Sequence, residues 1–180
     1  KLKNITLEQQ YNLKEHTQDV SVQKLKNLSS ELESYKKAHG LIDFNDMILD
    51  FIKSDASPEF DVVFIDEAQD LSLMQWNMAK SIWNKTKDSY IAGDDDQAIF
   101  RWAGADVNSF IAQTGKFLKL TESHRVPRVV HDVAMKIVKR ISKRHHKEWK
   151  PKNKSGSLSY YHNFQDIDMS SGEWYVLART

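Results

Sequence analysis

The run Val62-Val63-Phe64-Ile65 is continuously apolar, rich in β-branched and aromatic side chains, and stops abruptly at Asp66-Glu67. A half-exposed strand would alternate. An unbroken run predicts a strand buried on both faces, as in a parallel sheet covered by helices. The flanking sequence fits that reading. Ser72 and Gln75 form a capping-box pair opening a helix with Trp76, Ala79, Ile82 and Trp83 inward. Ser89-Tyr90-Ile91-Ala92 reads as a second strand, closed by Gly93 and three aspartates, and Asp106 caps a short helix through Phe110 and Ile111. Phe117-Leu118-Lys119-Leu120 reads as a third strand. Pro127 then sits in the first turn of a helix whose buried stripe is Val130, Val133, Ile137 and Ile141.

Upstream, Leu25, Leu28, Leu32 and Tyr35 recur at helical spacing before a stop at Gly40. Asp43 caps a second helix with Phe44, Met47, Ile48 and Phe51 as its stripe, and Pro58 ends the helical region. Strands alternating with helices predict an α/β domain with a mostly parallel sheet. After Lys154-Ser155-Gly156 the texture changes. Leu158–Tyr161 and Trp174–Leu177 read as two more strands, belonging to a second domain.

Composition excludes several classes. Apolar residues at 40% and charged residues at 28% fit a globular protein rather than a disordered tail. With no cysteine, neither a disulfide framework nor a zinc–cysteine site is possible. No apolar stretch of about 18 residues occurs, and Lys1-Leu2-Lys3-Asn4 does not open a signal peptide, so the expected location is the cytoplasm. The net charge of +1 hides a division. Between Asp43 and Asp106 there are fourteen acids against five Lys/Arg. Between Arg125 and Lys154 there are eleven Lys/Arg against two acids. That asymmetry fits a metal or catalytic site beside a polyanion-facing surface, and equally two solvated faces of opposite sign.

Three segments carry candidate chemistry. In Phe64-Ile65-Asp66-Glu67-Ala68-Gln69-Asp70, carboxylates stand at the carboxyl end of a buried strand, where α/β sheets bind ligands. In a nucleotide hydrolase the first acid holds Mg²⁺ and the second activates the attacking water. The bland alternative is a strand ending in solvated acids that cap the next helix. In Gly93-Asp94-Asp95-Asp96-Gln97-Ala98-Ile99-Phe100-Arg101-Trp102, adjacent aspartates need solvent, a cation or a basic partner. Gln97 can bond a phosphate or the attacking water without adding charge. Phe100 and Trp102 can stack on unpaired bases or simply pack in a core. In Leu120-Thr121-Glu122-Ser123-His124-Arg125, an arginine just past a strand can reach a phosphate, and His124 can stack on a base or pack.

Acid pair, Gly-Asp-Asp-Asp-Gln with a downstream Trp, and Leu-x-x-x-x-Arg, in that order, resemble the UvrD/PcrA/Rep family of superfamily 1 DNA helicases. The likeness runs from about Leu41, through Ile42-Asp43-Phe44-Asn45-Asp46, to Tyr175–Thr180. It implies a partial RecA-like, P-loop NTPase sheet with flanking helices: residues 1–40 a remnant of the family's helical insertion, 41–154 the C-terminal part of the first motor domain, 155–180 the first strands of the second. It implies that Asp66 binds Mg²⁺ through water, that Glu67 is the catalytic base, that Gln97 senses the γ-phosphate and that Arg125 contacts it. Phe100, where the family has Tyr, and Trp102 would stack on single-stranded DNA. Arg101, two places before the family's Arg, joins them on the DNA side. His124 replaces the family's adenine-stacking Tyr, with Ser123-His124-Arg125 standing for Asn-Tyr-Arg.

None of the six glycines begins a Gly-x-x-x-x-Gly-Lys-Ser/Thr loop, and Gly115-Lys116 is followed by Phe117. Without that loop no amides cradle the β- and γ-phosphates. The expectation is a bacterial or phage helicase fragment, inactive alone. Its full-length parent would bind ATP and Mg²⁺, act on single-stranded DNA and need the remainder of the motor, with no membrane and no oligomer implied. Two alternatives stay open: a non-catalytic nucleic-acid-binding module on a degenerate helicase fold, and a metal-dependent nuclease, which would need a lysine nearer the acids than Lys80 or Lys85. For the basic positions Lys136, Lys139, Arg140, Lys143 and Arg144, phosphate contact and a solvated helix face both remain. His145-His146 point apart on a helix, which favours solvent over a metal.

Overall fold

In the computed structural model, residues 6–12 and 20–178 are described; the N-terminal Lys1–Asn4 segment, and Arg179 and Thr180, lie outside them. The chain forms two compact units, residues 1–116 and 117–180.

The first unit is built on one βαβ element. Strand β1 (Phe60–Ile65) pairs in parallel with β2 (Thr86–Ile91), Phe64 opposite Tyr90 and Ile65 opposite Ile91. Helix α4 (Leu73–Trp83) connects them, because parallel strands cannot be joined by a tight turn. The expected capping box is present: Ser72 Oγ accepts from the Gln75 amide, and the Gln75 side chain accepts from the Ser72 amide at 2.8 Å. Trp76 is the core of the unit at 0% exposure, with Trp83 edge-on to it at 6.1 Å between ring centres.

Upstream, α1 (Leu7–Asn12) is tied to α2 (Val22–His39) by the Lys26–Glu8 pair at 2.8 Å. Gly40 closes α2 in the left-handed conformation at φ 62°, as its sequence position predicts. The Lys36 ammonium joins α2 to α3 (Phe44–Ser54), donating to Asp46 at 2.7 Å, Asp43 at 3.0 Å and Glu33 at 3.2 Å. These bonds, Asp46 foremost, hold Lys36 far above the ordinary lysine value. Asp43 and Asp46 form the capping box of α3, and α3 packs on α4. A short helix, α5 (Val107–Ile111), capped by Asp106, packs on the turns that follow β1 and β2.

Several expectations are corrected. The β1 run is not buried on both faces. α4 lies against the sheet, but Phe64 is 75% exposed and stacks on exposed Tyr90 at 5.0 Å. In α3 the sheltered residues are Ile48, Leu49, Phe51 and Ile52, while Phe44 and Met47 face solvent; the α2 stripe Leu28, Leu32 and Tyr35 is likewise exposed. Phe117–Leu120 forms no strand, and Phe117, Leu118 and Leu120 are exposed. An extended segment becomes a strand only when a neighbour completes its ladder, and among the described residues the pairing nearby is an isolated bridge between Glu122 and Lys150. Leu158–Tyr161 and Trp174–Leu177 are not strands for the same reason, so residues 155–180 carry none among those described.

In the second unit, α6 (Arg128–Val138) follows Pro127 but ends one turn early, at the Lys139 C-cap. Val130 and Ile137 within the helix and Ile141 beyond it are exposed, Val133 alone of the expected stripe being sheltered, and Arg140, Lys143 and Arg144 lie beyond the helix. Across both units no described helix is long and apolar enough to cross a membrane.

The fold predicts two stability effects. Ser72→Ala costs about 1 kcal/mol of unfolding free energy, and Trp76→Ala about 3–5 kcal/mol. Urea melts of the 180-residue chain measure both, and a Trp76→Ala loss below that of Ser72→Ala contradicts the assigned core.

Candidate functional site

The parallel ladder runs past the last strand residues. The Ala92 amide donates to the Ile65 carbonyl at 2.7 Å, and the Ala68 amide to the Ala92 carbonyl at 3.0 Å. Two further ties bind the loops beyond: the Asp106 amide donates to the Leu71 carbonyl at 2.8 Å, and Ser72 and Ala105 form an antiparallel bridge. The acid pair after β1 and the Gly-Asp-Asp-Asp-Gln turn after β2 are thus side by side at one end of the sheet.

Asp66 is exposed, and its Oδ1 accepts from the Glu67 amide at 2.8 Å, leaving Oδ2 without a hydrogen bond among the described residues. Glu67 adopts φ 50°, ψ 38°, a left-handed conformation unusual for a residue with a side chain. Such a conformation costs on the order of 1–3 kcal/mol and persists only where the surroundings impose it. Here the imposing contacts are the Asp70 amide on the Glu67 carbonyl at 3.0 Å and the Gln69 side-chain amide on Glu67 Oε2 at 2.8 Å.

The second turn is organised by Asp94. Its Oδ1 accepts from the Asp96 amide at 3.1 Å and its Oδ2 from Gln97 Nε2 at 2.6 Å. Asp94, Asp95 and Asp96 bring carboxylate oxygens within 4.8 Å of one another, so part of that density of charge is met by these donors. Glu67, Gln69, Asp70, Asp96, Gln97, Ile99 and Phe100 line an open cleft of about 520 Å³. Burial, then the Glu67 charge, pushes the Asp70 carboxyl above the usual aspartate value, and its Oδ1 is a buried acceptor with no partner among the described residues.

The expected site residues divide accordingly. Glu67, Gln97 and Phe100 share the cleft, and Asp66 adjoins it in the chain. Phe100, Arg101 and Trp102 form a 3₁₀ turn, Phe100–Ala103, so Phe100 and Trp102 do not share a face as alternate strand residues would. Trp102 is 78% exposed. Arg101 lines a separate pocket with Leu73, Asp106 and Asn108. His124 and Arg125 belong to the second unit. Both are exposed, on a turn where Ser123 Oγ accepts from the Arg125 and Val126 amides at 3.3 and 3.0 Å. The residue the sequence analysis leaves without a role is Gln69, 1% exposed and bonded to both turns. Its signal was an amide placed between acids immediately after a strand.

An α/β unit with two functional turns at the carboxyl ends of adjacent parallel strands defines a broad class of ligand-binding proteins. Sequence comparison narrows the class: the chain belongs to the UvrD/REP helicase family, whose N-terminal domain model matches residues 1–118. It is 26% identical over 148 residues to the ATP-dependent DNA helicase PcrA of Bacillus subtilis, covering 74% of this chain and 20% of that protein. PcrA of Staphylococcus epidermidis is 27% identical over 142 residues and PcrA of Staphylococcus aureus 25%, each covering 71% of this chain and 20% of the relative. The chain therefore spans about a fifth of the length of the curated relatives it matches.

Asp70 gives the site a pH signature. A carboxyl whose folded value is raised binds its proton more tightly when folded, so its contribution to stability falls as pH rises from the unfolded value through the folded one. Asp70→Asn should therefore raise the melting temperature relative to wild type at pH 7, with the gap closing toward pH 4. Calorimetry across that range checks this; a gap that widens on acidification contradicts it.

Proposed function

We propose that the chain is part of an ATP-dependent DNA helicase or translocase that couples Mg-ATP hydrolysis to movement along single-stranded DNA. The observation that carries the reading is that Glu67 and Gln97 line one cleft at the ends of two parallel strands. The printed names of the PcrA relatives, ATP-dependent DNA helicases, supply the substrate class.

In this reading Glu67 takes a proton from the water that attacks the γ-phosphorus, its Oε2 held by Gln69. Gln97, tethered to Asp94, contacts the γ-phosphate and reports its presence to the Phe100–Ala103 turn. Asp66 fits a magnesium ligand, being an exposed hard-oxygen donor with one oxygen uncommitted to protein. Bound Mg²⁺ would neutralise charge on the phosphates. Arg125 contacts the γ-phosphate and His124 the adenine. Exposed Trp102, with Phe100, stacks on bases, and Arg101 serves the same DNA side. In the full-length motor, residues 1–40 belong to the helical insertion, 41–154 to the first RecA-like domain and 155–180 to the start of the second. The remainder of the motor supplies the phosphate loop, so the 180 residues alone are inactive.

A phosphate-release assay on the 180-residue chain with Mg-ATP and single-stranded DNA should give no turnover above a no-protein blank. In the full-length motor, Glu67→Gln should lower DNA-stimulated kcat by about 10²–10⁴-fold while ATP still binds. Trp102→Ala should weaken single-stranded DNA binding by about 1–3 kcal/mol in fluorescence anisotropy. A Glu67→Gln motor within threefold of wild type removes the assigned base.

A further inference from the structure

Gln69 is one of three large side chains that are fully buried in the described structure, with Trp76 and Val107, and the only polar one of the three. Packing alone does not call for an amide there, since an unbonded buried amide costs about 1–3 kcal/mol that Leu or Met would avoid. Every hydrogen-bonding group of Gln69 is used. Oε1 accepts from the Asp94 amide at 3.0 Å, while Nε2 donates to Glu67 Oε2 at 2.8 Å and to Asp70 Oδ2 at 3.4 Å. The orientation of the amide is fixed by its partners: a backbone N–H can only donate, and two carboxylates can only accept. Gly93 leaves the room this requires, because a Cβ there would stand 2.6 Å from Gln69 Oε1.

These bonds join into a single path. Glu67 Oε2 is held by Gln69; Gln69 holds the Asp94 amide; the Asp94 carboxylate holds Gln97. Glu67, in its strained left-handed conformation, has no other side-chain hydrogen bond among the described residues, and its Oε1 is left for a water. A shift of the Asp94–Gln97 turn therefore pulls on the amide that aims the Glu67 carboxylate. We propose that Gln69 is the positioning residue that couples the Asp94–Gln97 turn to the Glu67 carboxylate. The kinetic consequence rests on the ATP-hydrolysis reading above; the coupling itself does not.

Two variants separate aiming from packing. Gln69→Met keeps volume and removes all three bonds. Gln69→Glu keeps the acceptor for the Asp94 amide but replaces donation to Glu67 with repulsion. The introduced carboxyl would face Glu67 and Asp70 from its own turn, and Asp94 and Asp96 from the turn after β2, so it takes up a proton well above the ordinary carboxylate range and then donates again. In the full-length motor both variants should lower DNA-stimulated kcat about 10- to 100-fold, with KM for ATP within about threefold. The Gln69→Glu to wild-type kcat ratio should rise as pH falls from 8 to 6, while the Gln69→Met ratio stays flat. In the 180-residue chain, Glu67→Ala should shift the Asp94 and Gln97 backbone amide resonances, and the same substitution in the Gln69→Met background should not.

Amide shifts equal in the two backgrounds overturn the coupling, and so does unchanged kcat in both variants where Glu67→Gln itself lowers kcat as expected. So does a flat Gln69→Glu ratio accompanied by lowered melting temperature and lost nucleotide binding, the pattern of a purely structural residue. If the amide shifts behave as expected while Glu67→Gln leaves hydrolysis intact, the coupling stands and the assignment of Glu67 as base falls.

Discussion

The arrangement depends on the parallel ladder between β1 and β2. Parallel strands deliver their carboxyl ends to the same edge of the sheet, so two loops 26 residues apart in register, Ile65 opposite Ile91, emerge as neighbours. The crossover through α4 is the condition for that geometry, and Trp76 with the Ser72–Gln75 cap secures the crossover. The continuation of the ladder through Ala92 and Ala68 then removes slack between the loops. With the main chain fixed, the side-chain bonds from Gln69 to Glu67 and from Gln97 to Asp94 set the tips.

Concentrating carboxylates at that edge carries an electrostatic cost, and the structure distributes it unevenly. Asp66 accepts from the Glu67 amide, and Asp94 accepts from the Asp96 amide and from Gln97. Asp70 is left with a buried oxygen and the Glu67 charge beside it, and its carboxyl rises.

Local signals were the legible ones. The Ser72–Gln75 box, the Asp43 cap, the Gly40 stop and the two strand-end motifs are decided within a few residues, and each appears where the sequence places it. Two expectations that depended on a further neighbour did not hold. Phe117–Leu120 has the composition of a strand but nothing to pair with, and the β1 run has the composition of a doubly covered strand but one covered face. Gln69 escaped for a related reason. A polar residue beside acids reads as surface until the fold shows that a backbone amide from another loop arrives at its oxygen.

The exposed apolar surface follows from the same physics. Phe64 and Tyr90 stack on the outer sheet face, and Leu28, Leu32 and Tyr35 line one side of α2, all of them solvent-facing. Neither outer edge of the two-stranded sheet is paired among the described residues. Continuous apolar faces and open strand edges are what a monomeric domain normally covers. The doubly covered composition of β1 thus stands against a sheet with one apolar face and both outer edges open among the described residues. The Gln69 path needs only the βαβ element and the two turns, which this unit already holds together.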